Sequence, residues 1–150
     1  MSRARRFARH VILELWDAKN TNSASTIEKA LRKACEIGNL ELVKIFIHQF
    51  SPYGVSGVAV IAESHITIHT WPEYGFAAVD IYSSKDNADI AKIAEVITTA
   101  FSPCQVNQVH NFRQRLRARG YAKYAQRSVD ALGGEEVVVT TLDQLFHRPK

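Results

Sequence analysis

Hydrophobic positions along this chain follow two periods, and the switching between them lays out its elements. Arg9 to Trp16 is dense in Val, Ile and Leu and predicts a strand. Asn20 to Ser25 is a polar loop ending in a helix start, where Ser25 and Glu28 have the spacing of a capping box. Ile27, Leu31, Ala34 and Cys35 then recur at helical spacing, and Gly38 is placed to end that helix. Leu42 to Phe50 returns to period two, with Val43, Ile45 and Ile47 on one face and Leu42, Phe46, His48 and Phe50 on the other. Residues 55–62 and 65–70 are rich in β-branched side chains, Pro72 to Gly75 is a turn signal, and Phe76 to Ser83 is the next strand. Asp86 and Asn87 are placed to cap a second helix whose buried face is Ile90, Ile93, Ala94 and Ile97, with Ser102-Pro103 beyond its end. A short strand over Gln105–Val109 closes the pattern. Two helices set among strands in this order predict an α+β fold: a two-layer α/β sandwich with a mainly antiparallel sheet and the helices packed on one face.

Composition narrows the class. The chain has 150 residues, 46% of them hydrophobic and 23% charged, which suits one globular domain. The net charge of +4 is uneven: residues 1–110 balance 11 Lys/Arg against 11 Asp/Glu, whereas 111–150 hold 8 against 4. The organisation read from this is a main domain over 1–110 and a basic C-terminal extension over 111–150. In the extension, Arg113, Arg115, Arg117, Arg119, Lys123 and Arg127 stud a helix-like stretch, followed by Gly133-Gly134 and a strand-like Glu135–Thr141. Arginines at alternate positions spread around a helix, and no aromatics are spaced for stacking, so a nucleic-acid partner is not expected. No apolar run reaches the roughly 20 residues that span a bilayer, and the apolar stretch behind the basic start is short and contains Glu14. A cytoplasmic protein without membrane partners is the reading. Cys35 and Cys104 are too few and too far apart for a disulfide framework or a zinc site, and Cys104 reads as a buried small hydrophobe.

Candidate chemistry concentrates between Gly54 and Gly75. Glu63, Ser64, His65, His69 and Glu73 fall within a dozen residues of strand and turn. Alternation sets His65, Thr67 and His69 on one strand face and Ile66 and Ile68 on the other. A polar row of this kind needs partners or a use. On spacing alone, a structural role for each His stays open. A metal is not expected, since no acidic or Cys ligand stands at a usual spacing from His65 and His69.

The run Glu63-Ser-His-Ile-Thr-Ile-His-Thr-Trp-Pro-Glu-Tyr-Gly75 resembles the processing motif of the short prokaryotic S-adenosylmethionine decarboxylases. Phe50-Ser-Pro52, Gly54-Val-Ser-Gly57, Ala77-Ala-Val-Asp80 and Arg9-His-Val-Ile-Leu-Glu-Leu15 are similar to that family as well, so the resemblance spans roughly residues 8–110. It implies a self-processing enzyme of polyamine biosynthesis. Ser64 attacks the Glu63 carbonyl, the peptide bond becomes an ester, and elimination leaves a pyruvoyl group at position 64. The resemblance gives His69 an acid/base part in this processing and Ser56 a hydrogen-bonding part, because a hydroxyl is a weak nucleophile without help. The pyruvoyl carbonyl then holds the substrate amine as a Schiff base and serves as an electron sink, so no external cofactor is needed. Phe50 is expected to enclose the substrate, Glu73 to hydrogen-bond it, and two cleaved protomers to form a homodimer. Because alternation puts Ser64 and His69 on opposite faces, a bend near the scissile bond is expected.

One departure stands out. Where the family carries a proton-donating Cys followed by Gly, this chain has Ser84 and Lys85. A thiol titrates near pH 8.5 and an alkanol is a far weaker acid, so Ser84 is a poor direct replacement. Three readings follow from the resemblance. The first is an S-adenosylmethionine decarboxylase with His69, a water or Ser84 relaying the proton. The second is a relative acting on arginine or ornithine, and the third a non-catalytic regulatory relative. The retention of Glu63, Ser64 and His69 favours an enzyme, and the first reading leads.

Overall fold

The computed structural model describes residues 6–114. In chain order these are β1 (Arg6–Trp16), α1 (Ala24–Ile37), β2 (Leu42–Gln49), β3 (Val55–Ile61), β4 (Ser64–Trp71), a 3-10 turn (Pro72–Tyr74), β5 (Phe76–Ser83), α2 (Ile90–Phe101) and β6 (Gln105–Gln114). The strands form one sheet in the order β2-β3-β4-β5-β1-β6, with every neighbouring pair antiparallel. Both helices cover the same face. This is the expected two-layer α+β sandwich.

Period-two alternation decides which residues enter the layer between sheet and helices. Val11, Leu13 and Leu15 of β1, Ala59 and Ile61 of β3, Ile66 and Ile68 of β4, and Val79 and Ile81 of β5 are buried there. They meet Ile27, Leu31 and Ala34 of α1 and Ile93, Ile97 and Phe101 of α2. Gly57 permits the closest approach: a Cβ built there would stand 2.7 Å from Ile27 Cγ2 and 3.0 Å from Leu31 Cδ1. Gly57→Ala is therefore expected to push α1 outward and cost about 1–3 kcal/mol, read as a lower urea midpoint with an unchanged slope.

The opposite face is uncovered among the described residues. It carries a row of rings across three strands, with Trp16 and Phe76 at 4.5 Å and Trp71 and Phe76 at 5.5 Å. Phe46 on the edge strand β2 and Trp71 at the end of β4 are 53% and 40% exposed on this side.

Several local expectations are corrected. Helix α1 is capped by Ser23, whose Oγ accepts from Thr26 N at 3.2 Å, not by Ser25. Ser23 is extended and already accepts both the Thr26 amide and its hydroxyl, while Glu28 turns outward to pair with Arg32 at 2.7 Å. Helix α2 is capped by Asp89, which accepts from Lys92 N at 3.1 Å, and not by Asp86 or Asn87. The Arg9 guanidinium holds residues 85–88 as a loop by donating to the carbonyls of Lys85 (3.0 Å), Asp86 (3.3 Å) and Ala88 (2.7 Å), which delays the helix. That amide bond also holds the Asp89 carboxyl below the usual carboxylate range. Strand β6 continues to Gln114, past the end expected at Val109. As an edge strand it pairs only with β1, so its outer positions tolerate the polar run that hid it. Arg113 belongs to this strand, and the rest of the helix-like stretch and Glu135–Thr141 lie outside the described residues.

Candidate active site

The turn between β3 and β4 holds the first group of candidates. Ile61 pairs with Ser64, which leaves Ala62 and Glu63 as a two-residue connection. The second residue of this turn sits at φ 71°, the left-handed region, and it is Glu63. Short hairpins that need a positive φ use Gly or Asn, and a side chain with a Cβ pays about 1–2 kcal/mol there. Strain is thus stored at Glu63, the residue before Ser64. Ser64 Oγ, one bond set away, is buried without a hydrogen-bond partner among the described residues. An orphaned hydroxyl is costly in an ordinary strand and calls for an explanation.

Ser84 completes this group. It follows β5 directly, and its Oγ lies between two acceptors of Glu63: the carboxylate Oε2 at 3.1 Å and the main-chain carbonyl oxygen at 3.4 Å. The hydroxyl has one proton for the two, so the Glu63 carbonyl has a donor beside it that it shares with the nearer carboxylate. A donor aimed at a carbonyl oxygen stabilises the negative charge that develops there when a nucleophile adds.

The second group lies at the other end of β4. Ser56 and His69 face each other across β3 and β4, with Ser56 Oγ 2.7 Å from His69 Nδ1. If the serine donates, the imidazole carries its proton on Nε2 and turns that nitrogen to the open face. Phe50 and Glu73 are at the same end. Phe50 is held where its amide donates to Gly54 O at 2.8 Å, its ring is 47% exposed, and it meets His48 edge-on at 4.5 Å. Glu73 stands exposed on the 3-10 turn.

The two groups are separate within the chain. Strand β4 is regular from Ser64 to Trp71, so the expected bend is absent. Five residue steps of strand separate Ser64 from His69, roughly 17 Å, and the two point to opposite faces. The structure brings Glu63, Ser64 and Ser84 together, and it brings Ser56 and His69 together. It does not join the pairs.

Neither cysteine stands in for the missing thiol. Cys35 is buried in the core, and burial pushes its thiol up to about 11 although Arg32 pulls it back in part. Cys104 is exposed, contrary to the buried reading, because it precedes the edge strand β6 and bonds Trp16 O through its amide at 3.0 Å. That end of β1 lies about seven residues, roughly 23 Å, from the end that pairs with Ser83. The open face also holds a pair not singled out from the sequence: His10 Nε2 and Asp80 Oδ1 at 2.8 Å, with Tyr82 edge-on to His10 at 5.7 Å. Alternation could have put each on that face, but their meeting depends on the β1–β5 register. No cluster of three or more His, Cys, Asp or Glu among the described residues could hold a metal ion.

Comparison with known proteins places this arrangement. The family model for S-adenosylmethionine decarboxylase matches residues 9–114. The S-adenosylmethionine decarboxylase proenzyme of Thermosipho melanesiensis is 41% identical over 107 residues, covering 70% of this chain and 82% of that one. The proenzyme of Thermomicrobium roseum is 41% identical over 96 residues, covering 63% and 83%. Among solved structures, the adenosylmethionine decarboxylase from Aquifex aeolicus superposes with a TM-score of 0.71 at 28% identity, over 78% of this chain and 98% of that one.

Proposed function

The chain belongs to the S-adenosylmethionine decarboxylase family, and from that premise we propose that it is a self-cleaving, pyruvoyl-dependent carboxy-lyase. It cuts itself between Glu63 and Ser64, then releases carbon dioxide from S-adenosylmethionine to give the aminopropyl donor for spermidine. The observation that carries this reading is the junction itself: a left-handed Glu63, an orphaned Ser64 hydroxyl and a donor from Ser84 on the intervening carbonyl.

Cleavage follows from those parts. Ser64 Oγ adds to the Glu63 carbonyl carbon while the oxygen takes up charge beside Ser84 Oγ. The bond from that carbon to the Ser64 nitrogen breaks, and the hydroxyl proton ends on the nitrogen. Passing into the ester releases the left-handed turn from its peptide geometry. A base then removes the Ser64 Cα proton, the Cβ–Oγ bond breaks, and Glu63 leaves as a carboxylate. The dehydroalanine that remains tautomerises to an imine, adds water and loses ammonia, which leaves a pyruvoyl group. When formed, that group supplies a carbonyl able to accept the electron pair left by carbon dioxide.

His69, steadied by Ser56, is the base in this reading, and Phe50 and Glu73 enclose and hydrogen-bond the substrate beside it. Since His69 cannot reach Ser64 along its own β4, the functional unit is a homodimer. Two copies packed about a two-fold axis would set the Ser56–His69 end of one at the β3–β4 turn of the other, where the Glu63–Ser64 bond stands at the end of the sheet. The aromatic row of Trp16, Phe76 and Trp71 supports such a contact. No helix among the described residues is long and apolar enough to cross a membrane, and a cytoplasmic enzyme fits the reading.

Offering the purified protein S-adenosylmethionine, arginine and ornithine separately tests the substrate, with labelled carbon dioxide as the readout. Release from S-adenosylmethionine alone is expected, and release from arginine or ornithine alone would sink the assignment. Ser84 holds the position from which a proton returns to the substrate carbon. Ser84→Cys is therefore expected to raise turnover about tenfold, equivalent to about 1.4 kcal/mol, and to slow inactivation.

A further inference from the structure

Ser84 reaches the scissile carbonyl from a loop, and what holds that loop is a second feature of this chain. The turn between α1 and β2, residues 38–41, touches both sides of the reaction. Its Glu41 carbonyl accepts from Ala62 N at 2.9 Å, one residue before Glu63. Its Gly38 carbonyl accepts from Asp89 N at 3.3 Å, and its Asn39 carbonyl accepts from the Lys85 ammonium. Asn39 is itself left-handed at φ 56°, in the reversal that ends α1. One rigid turn thus fixes the residue before the scissile bond and the loop that carries Ser84.

We propose that Lys85 is a positioning residue for self-cleavage: its bond to the Asn39 carbonyl holds the Ser84 hydroxyl on the Glu63 carbonyl. The inference rests on the self-cleavage reading and extends it to a side chain that touches neither reacting atom. A long side chain is needed here. Arg9 grips the loop through the carbonyls of Lys85, Asp86 and Ala88, which ties residues 85–88 to β1 and not to the turn that holds Ala62. Lys85 N donates to Ser83 Oγ at 3.2 Å, a bond within the loop itself. Lys85 Nζ is the one side-chain bond among the described residues running from the residue after Ser84 to the turn that holds Ala62. A Gly at this position, as the family resemblance expects, could not make it. The placement matters because a 3.4 Å contact to a carbonyl oxygen is near the limit of a hydrogen bond. A small drift of the loop would remove the donor from the place where charge develops.

The experiment follows cutting of the full chain during cell-free synthesis, as conversion of the 150-residue band into two fragments. Lys85→Met is expected to cut about tenfold more slowly than wild type, and Lys85→Arg, which keeps a cation on a long stem, to restore most of the rate. Ser84→Ala keeps the nucleophile and its base and still cuts slowly, and adding Lys85→Met to it should cost nothing further. Lys85→Gln supplies the same comparison should the Met variant be insoluble. Wild-type cutting by Lys85→Met, or an equal slowing in the Ser84→Ala background, would overturn the inference while leaving self-cleavage intact. A wild-type chain that never cuts would overturn both.

Discussion

Purified wild-type protein is expected to be two chains, residues 1–63 and 64–150, whereas Ser64→Ala stays a single chain of 150 residues with no decarboxylase activity. The effect is all-or-none because one residue supplies both the nucleophile of the cut, its Oγ, and the carbon skeleton of the reactive group. Removing Ser64 Oγ leaves the Glu63 carbonyl, its Ser84 donor and the strained turn in place, so the fold itself should persist. Intact mass spectrometry reads the outcome directly: two masses with the second chain blocked at its start, against one uncut mass. An uncut wild-type chain with normal decarboxylase activity would end the pyruvoyl assignment.

The second large effect appears only when two defective chains are mixed. Ser64→Ala and His69→Ala are each expected to stay uncut alone. Co-expressed with different tags, they should yield cut His69→Ala chain, because that chain keeps Ser64 and its neighbour supplies His69. The Ser64→Ala chain should remain whole in the same mixture. If catalysis lay within one chain, neither would be cut, since no chain carries both groups. The separation of roughly 17 Å along a regular β4 makes the mixed result the expected one.

Much of this was legible in the residues. Period-two runs marked the strands, and Ile27, Leu31 and Ala34 marked the buried face of α1. The opposite-face placement of Ile66 and Ile68 against His65 and His69 also follows from alternation alone. Caps were misplaced because Ser23, Ser25, Asp86 and Asp89 are equally competent locally. Tertiary bonds from Arg9 chose Asp89 by holding the preceding loop. The opposite faces of Ser64 and His69 follow from the same counting, but the expected bend between them does not form, because β4 pairs regularly with β3 along its length. Pairing across strands was not legible: the 2.7 Å contact between Ser56 and His69 depends on the β3–β4 register, and that of His10 with Asp80 on β1 and β5. The approach of Ser84 to Glu63 likewise depends on β5 lying next to β4, which no local pattern encodes.

The strand order has a consequence for the cut molecule. With the cut proposed between Glu63 and Ser64, β2 and β3 would come from the first fragment, β4 and β5 from the second, β1 from the first again, and β6 from the second. The fragments are interleaved along three shared strand boundaries, so severing one bond releases nothing. Reassembly is another matter. Before the cut, folding is a first-order event with β3 tethered to β4. Afterwards it requires two polymers to meet and thread one strand between two others, at a cost in translational freedom that depends on concentration. Self-cleavage would thus leave a molecule whose native state, once lost in dilute solution, is hard to regain. The chain folds once as a single polymer and thereafter persists by the height of its unfolding barrier.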